Sequence, residues 1–264
     1  MSKLTRNGVS LAYEEAGIGE PPILLVHCWT GDRSYFAPQV TFFSRTHRVV
    51  AVDLRGHGES DKPHDVYSAD LFAEDVAWMC DHIGLRHPVL VGHSMGGIVV
   101  LELVARRPDL GAAVILLDAP VFPPPGLVDA MKAVAREFRG PNYAEAARQF
   151  VDGVFLPTDD PTRRAEILDK TAECPQHVLS SAWEQMISYD ASAAAAACRA
   201  PVCYMSAATP LADLSRFQAL CPQLVTGQTV GAGHFHELEV PDQINAMIER
   251  FLLTALPRVH TTSS

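Results

Sequence analysis

Six short apolar runs, most of them rich in β-branched residues, punctuate the chain: "PILLVH" (22–27), "HRVVAVD" (47–53), "PVLVG" (88–92), "AVILLD" (113–118), "PVCYMS" (201–206) and "LVTGQTV" (224–230). Several are apolar without alternation, the pattern of a strand covered on both faces. Helical periodicity fills the intervals. "SADLFAEDVAWMCDHIGL" (68–85) repeats Leu71, Phe72, Val76 and Met79 at helical spacing behind Ser68, a residue suited to capping. "GIVVLELVARRP" (97–108) stops at Pro108, and "PDQINAMIERFLLTAL" (241–256) closes the pattern. This alternation predicts an α/β fold with a mostly parallel central sheet and helices on both faces.

The alternation fails once. After Asp118 the chain reads "APVFPPPG" and then gives only helix-like segments to about Ala200, dotted with Phe138, Phe150, Phe155, Trp183 and Met186. A proline-rich entry with no further strand is expected of a helical cap inserted into the fold, not of a domain with its own core. The expected organisation is a core of 1–118 and 201–264 with a cap of 119–200, ending in a frayed "RVHTTSS" tail.

A chain of 264 residues has room for one such core with an insertion. At 48% hydrophobic and 20% charged residues it is composed like an ordinary soluble globular protein, so disorder is not expected. A net charge of −10 without basic clusters disfavours nucleic acid and anionic lipid as partners, which leaves a small molecule. A homodimer is compatible with the sequence. "MSKLTRNGVSLAYEEAG" lacks the apolar segment of a signal peptide, and no run approaches the roughly 20 apolar residues of a membrane span, so the expected location is cytoplasmic. The six cysteines form no C-x-x-C pair, which argues against a disulfide framework and a zinc site; Cys28 is read as a small core filler.

Within "VLVGHSMGGIVV" (89–100), Gly92-His93-Ser94-Met95-Gly96 is a G-x-S-x-G sequence between a strand and a helix. Such a junction forces the serine into a strained bend, projects its hydroxyl above the sheet and places it beside the N–H groups of a helix start. Ser94 is therefore the candidate nucleophile, with the N–H of Met95 as one oxyanion donor. Its hydroxyl needs a base. "VGAGHFHELEVP" offers His234, on a small-residue loop after the last strand; His236 is the runner-up, and His93 is expected to point away from its neighbour.

Taken in order, "LLVHCW", "VVAVDLRGHGESDKP", "VGHSMGG" and "GAGHFHELEVPDQINAMI" resemble the α/β-hydrolase family over nearly the whole chain, with the cap following strand six of that fold. The resemblance implies a Ser-His-Asp triad and commonly places the acid on the loop after the "PVCYMS" strand. Here that loop reads "AATPLAD", with Ala208 and Thr209 where the acid is expected. Asp118, at the end of the preceding core strand, is the first alternative. Asp213 is the second, although "LADLSRFQAL" marks it as a helix N-cap. The resemblance assigns the other oxyanion N–H to Trp29. Thr30 and a serine nucleophile depart from the epoxide hydrolase and dehalogenase pattern. In "DLRGHGES" (53–60), Asp53 and Arg55 are expected to hold a tight loop by pairing, and His57 is read as a loop histidine.

For the ligand, Trp29, Tyr35, Phe36, Phe138 and Trp183 suggest an apolar or aromatic acyl or lactone group. The expected activity is a cofactor-free serine hydrolase of a carboxylic ester or lactone, with no metal. Carbon–carbon bond hydrolysis of ring-fission products uses the same triad, and the "AATP" loop resembles that of zearalenone-type lactone hydrolases. A cofactor-independent dioxygenase of the hydroxyquinolone type shares the missing late acid, and a binder that kept the fold is a third class.

Overall fold

A computed structural model describes residues 1–256; the tail expected over 258–264 lies outside them. Eight strands, β1 (Ser2–Arg6), β2 (Val9–Ala16), β3 (Ile23–Val26), β4 (Val49–Val52), β5 (Val89–His93), β6 (Ala113–Leu117), β7 (Val202–Ser206) and β8 (Leu224–Gln228), form one sheet in the order β1-β2-β4-β3-β5-β6-β7-β8. From β4 to β8 all pairings are parallel, and β1 and β2 join antiparallel at one edge.

Strand periodicity divides the core into two layers. Leu24, Val26, Val50, Val52, Leu90, Val114 and Leu116 face the helices α2 (Ala69–His82) and α3 (Met95–Arg106). Their chain neighbours Ile23, Leu25, Val49, Ala51, Val89, Val91 and Ile115 face α1 (Ala37–Phe43) and the last helix, Pro241–Ala255. Alternate side chains of a strand point to opposite faces, so an unbroken apolar run serves both layers at once. Ser68 caps α2 as the sequence suggested, its hydroxyl accepting from the Leu71 N–H.

Between β6 and β7 stand five helices: α4 (Pro125–Phe138), α5 (Tyr143–Asp152), α6 (Pro161–Glu173), α7 (Gln176–Ser188) and α8 (Ser192–Ala197). They meet the core at the ends of the parallel strands, where the Trp29 indole N–H donates to the Leu179 carbonyl at 3.0 Å and the His234 N–H to the Val154 carbonyl at 3.3 Å. Three helices complete the chain: the short α9 (Leu214–Leu220), the single turn α10 (His236–Glu239) and the 15-residue α11 (Pro241–Ala255).

The "DLRGHGES" loop is held by the two residues named for it, but not by a bond between them. Asp53 accepts from the Arg33 and Glu59 backbone N–H groups, each at 2.8 Å, and pairs with the Arg33 guanidinium. Arg55 instead makes a two-pronged bond to Asp75 at 2.8 and 2.9 Å. Each charge is matched by a neighbouring segment, so the loop is tied to the turn at Arg33 and to α2 together. All six cysteines are buried thiols.

Candidate active site

Ser94 joins β5 directly to α3 at φ 52° and ψ −117°, a left-handed conformation that costs a non-glycine residue about 1–3 kcal/mol. Two glycines make the bend possible. A Cβ on Gly92 would fall onto the Gly96 carbonyl, and one on Gly96 onto the Val26 carbonyl, so neither position has room for a side chain. Ser94 donates its N–H to the Leu117 carbonyl at 2.8 Å, which ties the bend to the end of β6.

The residue just after β6 is Asp118, also left-handed at φ 42° and 1% exposed. Its Oδ2 lies 2.8 Å from the His234 Nδ1, and its Oδ1 accepts from the Ala207 N–H at 3.3 Å. Burial alone would raise its pKa, but the His234 hydrogen bond and charge outweigh burial and hold the carboxyl below its ordinary range. The acid-free loop after β7 thus supplies an N–H to an acid at the end of β6. Asp213 is elsewhere: it caps α9, accepting from the Arg216 N–H at 3.0 Å.

Ser94 and His234 line one cavity of about 80 Å³. Around them are Cys28, Trp29, Leu211 and Phe235 from the core and Pro120, Leu127, Met131, Phe150, Val151, Val154, Trp183 and Met186 from the segment between β6 and β7. Met95 opens α3, where a helix leaves its first N–H groups unpaired. Among the described residues no backbone carbonyl takes up the Trp29 N–H. Trp29 itself is pinned in an aromatic cluster, its ring centroid 4.7 Å from Trp183 and 5.2 Å from Phe138.

Three residues expected at the ligand do not line this cavity. Phe36 is fully buried on the other side of the sheet with Phe43 and Leu25. Tyr35 turns its ring edge-on to Phe235 at 6.0 Å, and Phe138 sits behind Trp29 as a second layer. Position along the chain does not tell which layer an aromatic ring enters. Three other histidines among the described residues have structural partners. His27 Nδ1 donates to the Cys28 carbonyl at 2.7 Å and its Nε2 accepts from the Leu54 N–H at 3.0 Å, while His57 Nδ1 donates to the Arg55 carbonyl at 2.9 Å. His236 lies 3.2 Å from the Thr229 hydroxyl. Sequence reading missed one group altogether: Glu237, fully buried beside His93.

A family model described as alpha/beta hydrolase fold matches residues 21–164. The chain belongs to the α/β-hydrolase family. It is 34% identical over 125 residues to the 2-(acetamidomethylene)succinate hydrolase of Mesorhizobium japonicum, covering 47% of this chain and 45% of that one. To the bifunctional esterase/perhydrolase of Acinetobacter calcoaceticus it is 37% identical over 118 residues, 44% and 43% of the two chains. The chain thus spans about half the length of the curated relatives it matches. Among solved structures, the enol-lactonase of Burkholderia xenovorans superimposes with a TM-score of 0.84 at 23% identity, covering 96% of this chain and all of that one, which shows the α/β-hydrolase fold. Among the described residues no helix is long and apolar enough to cross a membrane.

Proposed function

We propose that this α/β-hydrolase is a serine hydrolase of a carboxylic ester or lactone, requiring no cofactor, with Ser94, His234 and Asp118 as its triad. The observation that carries the reading is the 2.8 Å bond from His234 to Asp118 beside a serine held in a strained bend on the same cavity. Asp118 takes the Nδ1–H of His234, which leaves Nε2 as the base. His234 accepts the Ser94 proton as the hydroxyl attacks the carbonyl, and the N–H groups of Trp29 and Met95 receive the charge on the oxygen. His234 returns the proton to the leaving alcohol. Water, deprotonated in the same way, then releases the acid.

The cavity also bears on the substrate. At about 80 Å³ it is far smaller than the roughly 300–1,000 Å³ of a drug-sized site, and its walls are apolar. A short acyl chain or small ring fits, and the residues 119–200 act as a cap that must move for anything larger. The names of the relatives, an esterase/perhydrolase and a hydrolase of an unsaturated succinate, support ester-type chemistry.

A fluorophosphonate probe tests the reading. Covalent labelling is expected on Ser94, abolished in Ser94→Ala and His234→Ala. Labelling at another residue, or full labelling in His234→Ala, would overturn it.

A further inference from the structure

His93 precedes the candidate nucleophile but turns beneath the sheet end, where it is fully buried. Its Nε2 lies 2.9 Å from the backbone carbonyl of His234, and the two imidazole centroids are 4.7 Å apart. A carbonyl only accepts, so Nε2 carries a hydrogen. On the other side of the ring, Nδ1 lies 2.9 Å from Oε1 of Glu237, and both side chains are completely buried.

That distance is one an ion pair would have, but the surroundings do not suit ions. Among the described residues no N–H or O–H donates to either oxygen of Glu237. A buried carboxylate without donors costs several kcal/mol. A carboxylic acid needs only one acceptor, and the bare Nδ1 of a neutral His93 provides it.

We propose that Glu237 is a positioning residue: its neutral carboxyl donates to Nδ1 of a neutral His93, and this closed pair clamps the backbone of His234 from behind. The pair also keeps a second cation away from the His234 ring at the moment that ring takes the serine proton. The inference rests on the proposed triad for its kinetic consequences, though not for the protonation itself. Burial lifts the Glu237 pKa to about 7, and burial followed by the nearby His234 pushes His93 well below its ordinary value. Facing Glu237 are His236 on its own turn, His234 and Asp118 at the site, Cys28 and Tyr35 from the segment after β3, and Gln39 from α1, whose amide donates to the Glu237 carbonyl at 3.0 Å. Only His234 among these gains positive charge in the proposed reaction.

Removing the proton would set lone pair against lone pair, so kcat is expected to decline on an alkaline limb with its midpoint near pH 7, with KM unchanged. Glu237→Gln supplies an amide N–H that does not titrate. It should keep kcat within about threefold at neutral pH and lose that limb, whereas Glu237→Ala should lower kcat about tenfold. Infrared spectra at mildly acidic pH give a readout independent of turnover: the carbonyl stretch of a protonated carboxyl, present in the wild type and absent in Glu237→Gln. That band with no turnover would sink the hydrolase reading and leave the pair standing. The same alkaline limb in wild type and Glu237→Gln, or no difference in the acid band, would overturn the pair.

Discussion

Two carboxyl–imidazole pairs lie back to back in this molecule, Asp118 with His234 and Glu237 with His93, their imidazole centroids 4.7 Å apart. The chemical groups are the same and the environments differ. Asp118 receives two N–H donors and its histidine reaches a cavity; Glu237 receives none and its histidine ends on a carbonyl. Accordingly one carboxyl is held below its ordinary pKa and the other is pushed up to about 7. Donor count and access to the cavity, not residue type, decide which pair is ionised and which is neutral.

The sharpest way to break this comparison is to remove each acid's charge in turn. Asp118→Asn keeps the shape but favours the wrong tautomer of His234, and kcat is expected to drop about 10⁴-fold. The equivalent change at Glu237 removes no charge if its carboxyl is already neutral. Steady-state kinetics of the two amide variants on a short-chain ester decide the matter: comparable losses would mean that the pairs do not have separate roles.

A second effect, smaller, appears in stability. Burial depresses the pKa of His57 to about 3 and that of His236 to about 4, and it lowers His27 and His93 as well. Their unfolded values lie near 6.5, so over the interval from there down to about 3 the unfolded chain binds more protons than the native one. Stability is therefore complete above about pH 6.5 and is lost as pH falls. Glu237 acts in the opposite sense between about 4.5 and 7, and Glu239, also raised by burial, acts with it, but these are two groups against four. At about 1.4 kcal/mol per unit, urea melts should show a loss of several kcal/mol between neutral pH and about pH 4. His236→Gln should flatten that slope; an unchanged slope would mean that this imidazole is not buried neutral.

Much of this architecture was legible in the sequence. The six apolar runs all became strands, five of them because burial on two faces leaves a mark that needs no partner to be seen; the sixth, β8, is a largely exposed edge strand. The hairpin of β1 and β2 was overlooked. Its strands lie at the sheet edge and expose much of their surface, but Asn7-Gly8, both at positive φ, is a turn signal that would have revealed it. The proposed triad of Ser94, His234 and Asp118 was suggested by local motifs and chain order. Glu237 was not, since "HFHELE" reads as an exposed, acid-rich helix start, and only the packing of this turn behind His93 buries the carboxyl. Tyr35 and Phe36 illustrate the same limit: aromatic content was visible, and the layer each ring entered was not.

The smallest effect separates two aspartates that chain order could not rank. Both lie between the nucleophile and the histidine, as the order Ser, Asp, His requires. Asp118 touches His234, whereas Asp213 spends its oxygen on the Arg216 N–H at the start of α9 and its own N–H on the Phe122 carbonyl at 2.7 Å. Asp213→Ala removes an N-cap, which costs about 1 kcal/mol. α9 has only seven residues and buries one of them, Phe217, so little of the local structure depends on it. A slightly lowered melting temperature with kcat unchanged is the expected result, because a cap acts on folding and not on the imidazole. If Asp213→Ala instead abolished turnover while the protein stayed folded, the loop after β7 would have to rearrange in the working enzyme and deliver its own acid, and the pairing seen at Asp118 would describe a resting arrangement.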